Sequence, residues 1–238
     1  MRGETLSRTA LLLGEAAIQR LVGSRVAVFG IGGVGGYVVE ALARSGIGAL
    51  DLFDNDTVSL SNINRQIVAL HSTVGRFKTE VMAERVRDIR PETTVTEYRC
   101  FFLPENADDY DFSPYDFIVD AVDTVSAKLA IVEKAQAAGV PVISCMGTGN
   151  KLDPSLLQLT DIAKTSGCPL ARVMRRELRA RGIEHLQVLY STEPVQPHRT
   201  TTTETKGGHP VPGSTAFVPS VAGLMIAAEV VRTLAKTE

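Results

Sequence analysis

The stretch RVAVFGIGGVGGYVVEALARSG, residues 25–46, constrains this chain more than any other. It joins a strand-like run, Arg25–Phe29, to a helix-like run, Tyr37–Gly46, through five glycines in seven positions. Glycine allows positive φ and close backbone approach at little steric cost. The helix that follows offers free N–H groups and a partial positive charge to an anion. The GxGxxG spacing is met at Gly30, Gly32 and Gly35, with Gly33 inside the turn. A strand, a tight glycine turn and a helix predict a nucleotide phosphate site at the edge of a sheet. The loop alone does not separate NAD, FAD and ATP.

The segments downstream keep alternating. ALDLFD (49–54), TVTEYR (94–99), YDFIVDAVD (115–123) and VPVISCMG (140–147) read as strands. FKTEVMAERVRDIRP and VSAKLAIVEKAQAAG read as helices between them. The predicted fold is α/β, with a doubly wound, Rossmann-like, mainly parallel sheet. In such sheets ligands sit beyond the C-terminal ends of the strands. Residues 5–22 show partial helical periodicity and predict one N-terminal amphipathic helix. Residues 23–149 form the expected nucleotide-binding core, and 150–238 a small C-terminal extension of the same domain. Within that extension, residues 192–214 are rich in Pro and Thr and lack periodicity, which predicts a mobile or functional loop.

Net charge is −2, so no whole-protein field draws the chain to nucleic acid or to an anionic membrane. The three cysteines, Cys100, Cys145 and Cys168, form no CxxC pair and no disulfide framework, which predicts a reducing, cytoplasmic setting. The first residues lack the long apolar run of a signal peptide. The apolar stretch Ala216–Ala235 is broken by Pro219, Glu229 and Arg232. It reads as a buried or interface helix rather than a membrane span.

Several polar residues follow the glycine turn. Asp54 stands 24 residues beyond Gly30, where a ribose-binding carboxylate is expected, and Asp56 follows it. Asn62, Asn64, Arg65 and Gln66 cluster in SNINRQ, and Lys78 heads a predicted helix. A dinucleotide's phosphates are already served by the glycine turn. Two further cations, one a planar fork and one a point charge, suit a triphosphate. Asp123 ends an apolar strand, where a carboxylate beside phosphate oxygens suits magnesium. Its other reading is a helix N-cap, and one Asp can do both.

Together, GIGGVGG, DNDTVSLSNINRQ, GRFK and VDAVDT resemble the ThiF/MoeB-like adenylating domain of ubiquitin-activating-type enzymes, from about Leu6 to Gly149. The later AKTSGCPLARVMRRELRARG, YSTEP and GSTAFVPSVAGL are similar to the subfamily of tRNA threonylcarbamoyladenosine dehydratases. That resemblance implies an ATP- and magnesium-dependent, tRNA-modifying enzyme. It would adenylate the carboxylate of threonylcarbamoyladenosine and close a ring with net loss of water. It assigns the ribose to Asp54, the phosphates to Arg65 and Lys78 with Asn62 beside them, and magnesium to Asp123. It also implies a homodimer in which Arg8 reaches the partner's ATP, although by itself Arg8 reads as a solvated helix charge. A sulfur-carrier protein activated at its C-terminal glycine is the alternative substrate. The missing CxxC pairs, which hold zinc in many such activators, count against it. An NAD-dependent oxidoreductase is the remote alternative.

Two features stay open at this level. Arg172, Arg175, Arg176 and Arg179 recur at helical spacing and predict one basic stripe, suited to a tRNA backbone or to a plain solvated face. Cys168 precedes Pro169 at a predicted helix start, which suits either a reactive thiol or simple packing.

Overall fold

The apolar runs do pair as strands in a computed structural model that describes residues 4–201, 205–206 and 209–236. The elements are α1 (Ser7–Leu13), α2 (Glu15–Gly23), β1 (Arg25–Phe29), α3 (Gly35–Arg44), β2 (Ala49–Phe53), α4 (Lys78–Ile89) and β3 (Thr94–Tyr98). Then come β4 (Phe117–Asp120), α5 (Val125–Ala137), β5 (Val142–Cys145), β6 (Leu157–Asp161), α6 (Pro169–Ala180) and β7 (Gln187–Ser191). A short pair, β8 (Thr205–Lys206) and β9 (His209–Pro210), precedes α7 (Phe217–Ala235).

Seven strands form one sheet in the order β3-β2-β1-β4-β5-β7-β6. All pairings are parallel except β6 with β7. The chain steps outward from β1 to β3, then returns to lay β4 on the other side of β1. That reversal opens a crevice beyond the ends of β1 and β4, the place where open α/β sheets bind ligands. Phe29 and Asp120 are register partners at those ends, so the Gly30 turn and the Ala121–Asp123 turn leave the sheet side by side.

Helices cover both faces. One core cluster joins α2, α3, α4 and α7 to the sheet through Leu21, Val38, Leu42, Met82, Ile226 and Val230. The opposite face packs α5 on an aromatic group that includes Phe29, Phe53, Phe102, Phe112 and Tyr115. Phe53 stacks on both Phe29 and Tyr98 with ring centroids 4.2 Å apart. The α7 helix is long and apolar enough to cross a bilayer. Here it lies on α2 and α3 with Val218, Ala222, Ile226, Ala227 and Val230 buried, as a core helix does.

One expectation needs correction. The N-terminal helix is two helices, because Gly14 takes φ 81° and ends α1 before α2 begins. The long aperiodic segment contains the β8–β9 pair, and its N-terminal end is held to the rest of the extension: Thr192 N–H donates to Leu156 O and Gln196 N–H to Asn150 O. Residues 202–204 and 207–208 of that segment lie outside the described residues.

Candidate functional site

A cleft of about 550 Å3 occupies the crevice beyond β1 and β4. Gly30 turns at its floor with φ 87°, and a Cβ there would stand 2.7 Å from Ala121 O. At Gly35 a Cβ would lie 1.8 Å from Gly30 O. The glycine turn is therefore a steric requirement of the switch point, not only an open door for phosphate. Gly32 and Gly33 face the cleft, with Pro219 of α7 behind Gly33.

Asp54 follows β2 into the cleft. Its Oδ2 accepts the Ile31 N–H at 2.6 Å and its Oδ1 the Asp56 N–H at 2.8 Å. Burial pushes its pKa up, against the opposing pull of Lys78 and these two N–H groups. Lys78, at the first position of α4, is itself buried. Its Nζ lies 2.6 Å from Asp56 Oδ2 and 4.0 Å from Asp54 Oδ1. The expected phosphate cation thus sits between Asp56 and the expected ribose acid Asp54, one ammonium against two carboxylates.

The SNINRQ segment forms a tight turn against the cleft. Asn62 Oδ1 accepts the Ser59 N–H, and the Arg65 guanidinium donates to Ser61 O at 2.9 Å and Asn64 Oδ1 at 2.8 Å. Burial lowers the Arg65 pKa. Gln66 is buried beside Gly32, and its Oε1 has no hydrogen-bond partner among the described residues. An orphaned acceptor on a cleft wall is a group waiting for a donor.

Asp123 lines the cleft and is exposed. The N-cap position of α5 is Thr124, whose side chain makes no capping bond, and Asp123 immediately precedes it. Beneath it, Asp120 ends β4 fully buried. Its Oδ1 accepts the Val122 N–H, and its Oδ2 receives the Lys128 ammonium at 3.0 Å and a short bond from Ser144 Oγ. Lys128 Nζ also donates to Cys145 O at 2.6 Å. Sequence reading passed over Lys128, a lysine in a helix with no motif around it.

The cleft also collects Phe53, Cys100, Phe101, Phe102 and Thr148, which no motif announced, together with Ser214 and Pro219 of the GSTAFVPSVAGL stretch. The C-terminal residues join the site because α7 packs against α3.

Other expected residues lie apart. Arg8 is exposed on α1, outside the cleft lining. The arginine stripe of α6 is narrower than expected. Arg172, Arg176 and Arg179 are exposed, but Arg175 turns in and donates to Thr165 O at 2.9 Å and Thr165 Oγ1 at 2.6 Å. Arg176 pairs with Glu177. The helix buries Ala171, Met174 and Leu178, and Arg175 flanks that face closely enough to reach the chain before α6. Cys168 is buried against this packing. Among the described residues no group of three or more His, Cys, Asp or Glu forms a metal cluster.

The ThiF family matches this chain over residues 6–238. A tRNA threonylcarbamoyladenosine dehydratase of Bacillus subtilis is 40% identical over 239 aligned positions, covering 97% of this chain and 94% of that one. The enzyme of the same name from Escherichia coli is 44% identical over 172 positions, 72% of this chain and 64% of its own. A crystal structure of E. coli tRNA N6-threonylcarbamoyladenosine dehydratase in complex with ATP superposes with a TM-score of 0.88 at 35% identity. That match covers 98% of this chain and 94% of the other. With the family matched from the first helix to the last, on a sheet whose switch point carries the glycine turn and its charged rim, this chain is a member of the ThiF family.

Proposed function

We propose that this chain is an ATP-dependent tRNA threonylcarbamoyladenosine dehydratase working in the cytoplasm. The observation that carries the reading is the length of the likeness. It runs through the C-terminal extension as well as the nucleotide core, and that extension supplies Ser214 and Pro219 to the cleft.

ATP fits the charge set. The backbone of Gly30, Gly32, Gly33 and Gly35 and the N-terminus of α3 receive phosphate oxygens. Asp54, with Asp56, receives the ribose hydroxyls. Arg65 and Lys78 turn from their present partners toward the phosphates, and Asn62 and Gln66 add amide contacts. A single carboxylate, Asp123, suits magnesium, which binds with one or two carboxylates and the substrate's own phosphates. When bound, the metal neutralises charge on those oxygens. Arg8 would enter from the partner subunit of a homodimer. The exposed Arg172, Arg176 and Arg179 would meet the tRNA backbone.

The substrate carboxylate attacks the α-phosphorus of ATP, and pyrophosphate leaves. The resulting acyl-adenylate is attacked by a nucleophile of the substrate's own carbamoyl group. A ring closes and AMP departs with the former carboxylate oxygen. Placement of the two reactants and stabilisation of phosphorus charge by Arg65, Lys78 and Arg8 account for the protein's part.

Mass analysis of tRNA nucleosides after incubation with ATP tests the proposal. The expected result is loss of one water from threonylcarbamoyladenosine. Unchanged nucleoside, with pyrophosphate release stimulated instead by a carrier protein ending in glycine, would replace tRNA by that protein. With the RNA substrate present, ATP–pyrophosphate exchange in Asp123→Ala should vanish, and wild-type exchange there would remove the magnesium role.

A further inference from the structure

A second cavity, of about 430 Å3, opens beside the nucleotide cleft, and Arg65 and Ser214 line both. It lies between the turn at 61–65, the segment 150–152 and two stretches of the C-terminal extension, 196–200 and 211–215. Its size is that of a site for a small organic molecule.

Its charge differs from that of its neighbour. The nucleotide cleft mixes Asp54, Asp56 and Asp123 with its cations. Among the described residues the second cavity is lined by Arg65, Lys151, His198 and Arg199, and by no Asp or Glu. Leu152, Pro197, Val211 and Pro212 give it flat apolar surface. An anionic ligand with a planar apolar part matches both properties.

The walls are built rather than incidental. Asn150 adopts φ 56°, a conformation Asn tolerates better than most residues. Its backbone N–H donates to Gly213 O at 2.8 Å, and its carbonyl accepts the Gln196 N–H at 2.9 Å. Its Oδ1 accepts the Gly213 N–H at 2.7 Å and meets His198 Nε2 at 3.0 Å. One residue thus clamps both stretches of the extension. Asn64 Nδ2 donates to Ser214 O at 3.0 Å and joins the same wall to the SNINRQ turn. Thr215 Oγ1 is buried in the lining with no hydrogen-bond partner among the described residues.

We infer that this cavity holds the modified adenosine of the RNA substrate, with His198 and Arg199 as binding residues. The inference rests on the dehydratase reading and deepens it. The purine lies against the proline and valine surface, and the cations meet its carboxylate and the flanking phosphates. The shared wall at Arg65 and Ser214 then leaves the carboxylate facing the α-phosphate side of the nucleotide cleft. Arg65, common to both cavities, carries charge to each reactant.

The test uses the full chain and an anticodon stem-loop RNA carrying threonylcarbamoyladenosine, with the unmodified RNA as reference. Wild type, Arg199→Glu and His198→Ala are compared for ATP affinity, RNA affinity and dehydration. Both variants are expected to hold ATP within about twofold of wild type, while affinity for the modified RNA falls by about tenfold or more in Arg199→Glu. His198→Ala is expected to narrow the preference for modified over unmodified RNA. Wild type that dehydrates the RNA while both variants bind and discriminate unchanged would overturn the cavity assignment alone. Equal loss of ATP and RNA affinity in both variants would overturn it too, by merging the two cavities into one. Wild type that leaves the RNA unchanged would overturn the dehydratase reading itself, and this inference with it.

Discussion

Replacing Lys128 by Met probes the support beneath the nucleotide cleft. Lys128 and Asp120 are both fully buried, and the ammonium ties the end of β4 to the end of β5 through Asp120, Ser144 and Cys145 O. Methionine fills a similar volume but removes the charge, leaving Asp120 buried without its counter-ion. Breaking a buried pair in this way costs about 3–5 kcal/mol. Asp120 keeps two acceptor bonds, from Ser144 Oγ and from the Val122 N–H, which favours the lower end, about 3 kcal/mol. For a chain of this size that is roughly 6–12 °C in Tm. Urea unfolding of Lys128→Met, Asp120→Asn and the double variant closes a thermodynamic cycle. The double variant should recover at least about 1.5 kcal/mol relative to additivity, because Asn needs no counter-ion. Activity should fall with Lys128→Met, since Asp120 also holds the Val122 N–H of the turn that ends in Asp123. A cost below about 1 kcal/mol, or an additive cycle, would show that Lys128 is not the counter-charge on which the cleft floor depends.

Gly35→Ala should destabilise the fold by about 3 kcal/mol, the upper end for overpacking, and abolish ATP binding, because its Cβ would overlap Gly30 O; a calorimetric scan with and without ATP reads both effects. Lys78→Met should make ATP binding acid-sensitive at higher pH. Burial already raises the Asp54 pKa and Lys78 opposes that shift, so without it the carboxylate is lost sooner as pH falls; ATP affinity between pH 5 and about 8 measures this. By the same sign, the charged Asp54 penalises the folded state above its raised pKa. The stability gain of Asp54→Asn over wild type should therefore shrink as pH falls from that value toward 3.8. Cys100, half-buried in the cleft wall, should be alkylated slowly and be protected by ATP, whereas Cys145, pushed up to about 12 by burial, should resist reagent in the folded chain with or without it.

What could be read without coordinates was local chemistry at fixed spacing. The glycine turn, the acids after β2, the SNINRQ cluster and Asp123 were all legible, because each follows a strand end and strand ends of a parallel sheet converge. The parallel sheet itself followed from alternating apolar runs and helices. Features that depend on which surfaces meet were not legible. The α6 arginines share a spacing, but only packing decides that Arg175 turns inward to Thr165 while Arg172, Arg176 and Arg179 stay in solvent. Gly14 looked like one residue of a helix until its backbone conformation broke it. Lys128 carried no motif, and its burial is a property of the three elements around it. The second cavity joins residues 61–65 to 211–215, a contact that no period or motif encodes. Periodicity and spacing are written along the chain. Burial, charge pairing and cavities belong to the space between segments, and only the folded sheet with α7 laid across α3 determines them.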